Sequence, residues 1–566
     1  MGFSLPEDVA RLVELGVDVP DAWITGEKVV DGYILARMVD ENKSAKGSYG
    51  LENTLLDLHS VLPWKASSQA LLAEHGDMGL VPSDVREERC RLDAWASYVV
   101  AETLAPKLAS CWGLVRFTNR IAGVLFRIGL VGAVVDLPAF HAMGADLEAK
   151  LLDTRDQLRT QAYAAGLSKF DPTNDGHLRQ MLYEKLGLPV IAKTEKTKLP
   201  AVDKSTLKQL DHPWATLLME FNKYDKEYGV NVVGLRQLIQ PCGLLEGELA
   251  GYLPFRIHPL GARTGRRASG SPNSQNWPAT TRRIVRSRWE RGNVADIDYR
   301  KLESVLVGWI SGDDKLFSFF HEGKGYQDVA KEILGFEVEE GTPEYRAIKS
   351  IVLGVHYNLQ TPKMSKGLWL LGVRFSSDYR EHVSETDRLR KLYLKRFGGV
   401  ERYMLEREDE LLRTGQVVSL TGRVRHLPVP DGRDTPGYHR LLNQAINFPI
   451  QSLASEITGS AMIDAEAALL AEEGLSYRDY LEILLAERKR LTSGPESGTM
   501  SLLEWSMLIN EVHDSLVVDL HPGSAERDLA IFTESMVKVS SLRKLCPAFT
   551  MPLRVKVTRA DRWGGV

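Results

Sequence analysis

Two apolar runs close on a short polar centre in Ile509-Asn510-Glu511-Val512-His513-Asp514-Ser515-Leu516-Val517-Val518, and this segment constrains the fold more than any other. The pattern reads as a β-hairpin with His513, Asp514 and Ser515 at its tip. A carboxylate at a hairpin tip is ordinarily a turn residue, since Asp tolerates turn backbones and bonds to its own main chain. Far upstream, however, a second strand pattern, Val294-Ala295-Asp296-Ile297-Asp298, also ends on a carboxylate. Two carboxylates converging from separate strands can bridge divalent cations, and phosphoryl transfer needs that charge neutralisation. Spacing alone leaves open whether they meet.

The rest of the chain frames these two strands. Residues 1–125 are mostly helix-like, and 145–165 carry a long amphipathic repeat (Leu147, Leu151, Leu152, Leu158) that predicts one extended helix. Residues 167–215 are basic and turn-rich, and 256–290 hold many arginines among Gly, Ser and Pro. A basic loop of that kind is ordinarily a solvated surface; otherwise it contacts phosphates. Residues 315–400 read as almost wholly helical, strand signals return after 415, and 552–557 alternate like an edge strand. An α+β fold with a helical insertion follows.

Composition adds limits rather than a function. A chain of 566 residues, 43% hydrophobic and 26% charged, is expected to form several soluble domains. It has no apolar run of about eighteen residues, so no membrane partner is expected, and the start reads as no signal peptide. Cys90, Cys111, Cys242 and Cys546 lie far apart, which encodes neither a zinc site nor a disulfide framework and fits a reducing cytoplasm. The net charge of −4 gives no support to nucleic-acid binding by itself; a polyanion would need the 71 Lys and Arg residues gathered on one face.

A third segment bears chemistry. In Tyr345-to-Asn358, Arg346, Lys349, Leu353 and Tyr357 step by three, four and four and so share one helical face. Lys349 to Tyr357 spans roughly 12 Å at helical rise, enough to offer a cation to a triphosphate and an aromatic ring to a base. The plainer reading is an amphipathic helix with a solvated lysine.

Together these segments resemble the family A DNA polymerases, the group of bacterial DNA polymerase I and many bacteriophage replicases. Asp298-Tyr299-Arg300-Lys301-Leu302-Glu303 resembles motif A, written D-Y-S-Q-I-E. Lys349-x3-Leu353-Gly354-x2-Tyr357-Asn358 resembles motif B, K-x3-[FY]-G-x2-Y-G, and Val512-His513-Asp514-Ser515 resembles motif C, V-H-D-E. Thr264-Gly265-Arg266 with Pro272-Asn273-Ser274-Gln275-Asn276-Trp277-Pro278, then Gly422-to-Pro428 (G-R-x-R-x-L-P) and Asn447-to-Ser452 (N-x-P-x-Q-G), follow the family's order. The segment Phe170–Lys226 is similar to its thumb, notably at Leu186-Gly187-Leu188-Pro189.

The resemblance implies a right hand with an antiparallel palm sheet and helical fingers and thumb. Its expected parts are a partial 3′–5′ exonuclease-like α/β remnant at 1–125, thumb at 126–255, palm at 256–314 and 401–566, and fingers at 315–400. It implies Asp298 and Asp514 as ligands of two Mg2+ ions, replaceable by Mn2+, and Lys349 as a catalytic and triphosphate-binding cation. Arg346, Leu353, Tyr357 and Glu303 would complete the dNTP site, with Glu303 excluding a 2′-hydroxyl and hydrogen-bonded to Tyr357. Arg266, Gln275, Asn276, Arg423, Asn447, Gln451 and His513 would contact primer-template DNA. Asp296 is expected to be structural. The implied setting is bacterial or phage DNA replication in the cytoplasm.

The chain departs from the motifs at several points. The motif B arginine position is Tyr345, with Arg346 one place on and rotated by about 100°. Leu353 replaces the usual aromatic residue, Asn358 a glycine, and Ser515 the third carboxylate. Residues 475–505 form a longer charged connection than usual. In the N-terminal block, Gly2-to-Asp8 resembles the second exonuclease motif and Tyr98-x3-Glu102 the third, which singles out Asp8 and Glu102. The first motif would precede residue 1. The chain alone is therefore expected not to proofread, as a degenerate scaffold, a shortened chain, or a split enzyme completed by a separate exonuclease. Two other readings stay open: a single-subunit RNA polymerase, whose motif C often reads H-D-S, and a non-catalytic DNA-binding relative.

Overall fold

Alternating and apolar runs resolve into two antiparallel sheets. A computed structural model describes residues 1–43, 48–59, 61–243, 250–429, 435–493 and 501–565. Ala133–Asp136 (β1), Gln240–Cys242 (β2), Ala250–Leu253 (β3) and Val285–Arg286 (β6) form one sheet in the order β2-β3-β1-β6. Ile257–His258 (β4) and Ala268–Ser269 (β5) pair beside it. The second sheet joins Asn293–Tyr299 (β7), Met507–Val512 (β10), Ser515–Leu520 (β11) and Val555–Ala560 (β12) in the order β10-β11-β7-β12. Gln416–Val418 (β8) and Val424–His426 (β9) make a separate hairpin.

The second sheet carries the two acidic strand ends. β10 and β11 are buried along their whole length, which explains why they read as apolar runs rather than alternating ones. The Trp112–Val131 helix covers β10, and the Pro436–Glu473 helix lies on β11. Among the described residues β12 pairs only with β7 and is exposed through its middle, an edge strand that begins at Val555, within the 552–557 segment expected to form one. Between β7 and β8 the described chain is helical, from Leu302–Ile310 through Gly398–Thr414, as expected for 315–400.

Local chemistry sets the helix ends. Thr342 caps Pro343–His356 by accepting the Tyr345 amide at 3.2 Å, with Pro343 in the first turn where its missing N–H is harmless. Thr435 caps the 38-residue Pro436–Glu473 helix, which ends at left-handed Gly474. Pro449 lies inside that helix and removes one rung of its hydrogen-bond ladder. Asp136 caps Leu137–Ala164, which packs on Pro213–Tyr228. These two helices enclose a core of their own, with Leu158, Phe170, Leu182, Leu207, Trp214 and Leu218 buried.

Three expectations change. The proposed boundary at 125/126 falls inside the Trp112–Val131 helix, whose buried residues belong to the main core. The outer ends of the 126–255 segment, β1 to β3, belong to the first sheet rather than to the helical lobe. The N-terminal block is helical instead of α/β: among the described residues before β1, its strand-like pairing is one parallel bridge between Gly2 and Asp31. Helical rather than alternating apolar spacing dominates there, as in Leu5–Glu14, which buries Val9, Ala10 and Val13.

The charged connection at 475–505 is largely a helix, Tyr477–Thr492, opened by a Ser476–Asp479 capping box. It docks on Trp112–Val131 and Leu5–Glu14; residues 494–500 lie outside the described residues. Buried ion pairs tie the N-terminal block to the rest. Glu41 accepts from the Arg425 guanidinium and the His426 amide, each at 2.7 Å, and Arg127 forks onto Glu466. Among the described residues, no helix is long and apolar enough to cross a membrane.

Candidate active site

β11 lies antiparallel to β7 with Ser515 directly opposite Asp298, so the hairpin tip and the end of β7 meet. His513 and Asp514 form the two-residue turn between β10 and β11, with His513 left-handed at φ 59°. The Tyr299 amide donates to the Asp514 carbonyl at 3.3 Å and locks the turn onto β7. Pairing register, invisible in sequence spacing, thus brings the two carboxylates to one edge of a cleft. That cleft, about 350 Å³, is lined by Arg266, Lys301, Glu303, Tyr326, Leu353 and Asp514 among others.

Electrostatics mark the pair. Asp298 is exposed at the end of β7, yet the protein crowded around its carboxyl and the Asp514 and Asp296 charges push it up to about 7, against a counter-pull from Lys556. Burial also raises Asp514. Two neighbouring carboxylates with too little positive charge between them behave this way, and a bound hard cation reverses it. Their oxygen donors suit Mg2+ or Mn2+ rather than a soft metal. Ser515 is buried and donates its hydroxyl to the Val512 carbonyl at 3.3 Å, so no carboxylate stands at that position. Asp296 accepts the Trp563 indole N–H at 3.1 Å, a structural use of its charge.

A buried network holds the hairpin from behind. Arg267 donates to Glu511 at 2.9 Å and to the Ser455 carbonyl at 2.8 Å, while Gln275 donates to Glu511 at 3.1 Å. Arg267 and Glu511 are almost fully buried. The sequence reading passed over both. Their signal was a charged residue inside the apolar β10 run and a second arginine after Arg266.

From Pro343–His356, Leu353 lines the same cleft as Asp514. Arg346 and Lys349 are exposed, and Leu353 and Tyr357 are half-buried towards the cleft. Tyr345 is buried, with its ring edge-on to the cleft-lining Tyr326. Tyr357 donates its hydroxyl to Glu303, which also pairs with Arg266. Tyr357 is the helix C-cap, and Asn358 takes the left-handed conformation at φ 51°. That backbone explains why glycine is usual there and why asparagine, the next most tolerant residue, replaces it.

Several residues expected on DNA lie elsewhere. Gln275 is buried with its amide engaged at both ends, by Glu511 and by the Ser269 amide, so it supports the hairpin. Arg423 is buried on Glu456 at 3.3 Å, since a charge enclosed by protein requires a partner. Asn276 and His513 are exposed, and Asn447 and Gln451 line a second cleft with Arg263, Gln360, Lys363 and Asn443. Asp8 and Glu102 are exposed on separate helices, and Asp8 feels Glu7 and Asp31. Among the described residues, no three His, Cys, Asp or Glu side chains converge to hold a metal ion.

Known proteins give independent comparisons. The model of DNA polymerase family A matches residues 141–565. The thermostable DNA polymerase I of Thermus thermophilus is 26% identical over 487 residues, covering 84% of this chain and 51% of the relative. DNA polymerase I of Mycobacterium bovis is 26% identical over 453 residues, covering 78% and 43%. The chain thus spans about half the length of the curated relatives it matches. The POL domain of Pol1 from M. smegmatis, solved in complex with DNA primer-template and dNTP, superposes with a TM-score of 0.70. It is 21% identical, with 94% of this chain and 82% of that one covered, and so shares the fold. With a family match running from the Leu137–Ala164 helix through the last strand, the chain belongs to DNA polymerase family A.

Proposed function

We propose that this chain is a DNA-directed DNA polymerase that extends a primer 3′-hydroxyl with dNTPs. In that reaction the primer oxygen bonds to the α-phosphorus, the α–β bridge bond breaks, and pyrophosphate leaves. The observation that carries the reading is the meeting of Asp298 and Asp514 on paired strands, at a cleft that Asp514 lines together with Glu303 and Leu353. Family membership implies a dependence on divalent metal, and the two aspartates are our assignment for a pair of Mg2+ ions. Bound there, the ions supply charge neutralisation for the nucleophile and the leaving group.

The remaining roles follow from position. Lys349, and Arg346 at the outer end of the same face, bind the triphosphate; Lys349 gives a proton to the departing pyrophosphate. Leu353 packs on the sugar. Glu303, oriented by Tyr357, occupies the space a ribose 2′-hydroxyl would need. Arg266 exchanges its partner Glu303 for the minor-groove edge of the primer end, where acceptors common to all base pairs allow a check of geometry without sequence preference. His513, Asn276, Asn447 and Gln451 complete the primer-template track. The RNA polymerase reading is disfavoured by Glu303, whose carboxylate, held by the Tyr357 hydroxyl, is our assignment for the gate against a 2′-hydroxyl.

Primer extension by the wild type and by Asp514→Ala tests the proposal. The variant is expected to lose about a thousand-fold or more of the rate while still binding primer-template. Extension with rNTPs at the dNTP rate would favour the RNA polymerase reading, and no extension by the wild type would favour a non-catalytic relative.

A further inference from the structure

Two ammonium groups approach one aromatic ring, Tyr326, that lines the cleft. Lys349 Nζ lies 5.7 Å from the Tyr326 ring centroid, and Lys301 Nζ lies 5.8 Å from the same centroid. They come from different elements: Lys349 from Pro343–His356, Lys301 from the turn between β7 and the Leu302–Ile310 helix. Neither forms an ion pair among the described residues. Lys301 Nζ donates to the Lys324 carbonyl at 2.7 Å. Burial holds the Lys301 ammonium below the ordinary lysine range, and Arg300 and Lys349 push the same way against Glu340 and Asp328. Lysines that merely solubilise a surface spread apart into water; these two are gathered.

The backbone is arranged around this gathering. Lys301 is left-handed, at φ 50° and ψ 39°, a conformation that disfavours an L-residue by roughly 1–2 kcal/mol. It leads directly into Leu302–Ile310, whose first turn has no side-chain cap, and Leu302 and Glu303 of that turn line the cleft. Gly325, at φ 73°, leaves room for the lysine, because a Cβ there would collide with Lys301 Nζ. At the helix opposite, the usual arginine position holds the buried, uncharged Tyr345.

We infer that Lys301 is a second phosphate-binding cation, gripping the triphosphate of the incoming nucleotide from the side opposite Lys349. The inference rests on the polymerase reading for the identity of the ligand, and on the two-lysine geometry for the site. An anion of several charges entering between the ammonium groups relieves their mutual repulsion and gives each a partner, the charge-assisted contact that partial burial strengthens. Lys301 thereby supplies in this chain a charge that Tyr345 does not.

Calorimetric titration of inorganic tripolyphosphate into the whole, metal-free chain reads the site with no catalytic step. Lys301→Met is expected to weaken binding about tenfold, Lys301→Arg to keep it within about twofold, and Lys349→Met to weaken it comparably. In single-nucleotide extension, Lys301→Met should raise the KM for dNTP about tenfold and leave primer-template affinity unchanged, a split that a merely structural role would not give. Equal tripolyphosphate affinity in wild type and Lys301→Met overturns the inference, as does a wild type that binds no tripolyphosphate. Should Lys301→Met melt lower than wild type, Lys301→Gln replaces it, and the contrast with Lys301→Arg decides. Tripolyphosphate binding that depends on Lys301, in a wild type that extends no primer, upholds the anion site and refutes the polymerase reading instead.

Discussion

Single residues set the chemistry of the cleft, and Asp298 gives the clearest handle. Its carboxyl is pushed from the ordinary aspartate value of 3.8 up to about 7 in the fold, by the protein crowded around it and by the Asp514 and Asp296 charges. Over that window the folded chain binds more protons than the unfolded one. The group's stabilising contribution is therefore complete below the unfolded value and is lost as pH rises through about 7. In metal-free buffer, Asp298→Asn should shrink the drop in melting temperature between about pH 5 and about pH 8. An unchanged drop would show that the Asp298 carboxyl is not raised in the fold. Leu353 offers a second test, since it lines the cleft where the family has an aromatic ring. Leu353→Phe is expected to alter dideoxynucleotide selectivity in primer extension, and identical selectivity would remove Leu353 from the sugar site. The identity of these residues was legible in the motifs. Their protonation was not, because it depends on how much protein surrounds each carboxylate.

At the scale of elements, the β10–β11 hairpin stands on its buried support. Removing one member of an enclosed ion pair leaves the other unpaired, which costs about 3–5 kcal/mol, whereas replacing both by apolar groups restores much of the loss. Arg267→Met is thus expected to lower unfolding free energy in denaturant titration by about that amount, and Arg267→Met with Glu511→Met to recover part of it. Equal losses in the single and double variants would mean that the pair is not coupled. The Pro343–His356 helix makes a different point at its end. Asn358 is left-handed, so Asn358→Gly should be nearly neutral, and Asn358→Val should cost about 1–2 kcal/mol by the same measurement. Periodicity and caps made both elements readable in advance. The support beneath the hairpin was not, since Gln275 and Arg423 carry groups common in DNA contacts, and burial alone separates those roles.

Across the whole molecule, a helical N-terminal block is stapled to the polymerase core by Glu41 with Arg425, and by Arg127 with Glu466. Asp8 and Glu102 stand exposed on separate helices of that block, with no converging acidic cluster among the described residues. The purified chain is therefore expected to show no Mg2+-dependent 3′–5′ degradation of a labelled primer under conditions where it extends one. Shortening of the primer by the wild type would overturn this.

Asp298 and Asp514 were, in the sequence, two acidic strand ends in apolar surroundings, and the ordered motifs gave them a family, a right-hand fold and a set of neighbours. Residue type and periodicity suffice for that, because strand, helix and cap preferences are local. Only the tertiary structure decided that Ser515 pairs opposite Asp298, that Arg267 and Glu511 lock the tip in place, and that Lys301 joins Lys349 around Tyr326. Those facts depend on register and on packing between segments far apart in the chain, and a register shift by one residue would have turned every side chain of β7 to the other face.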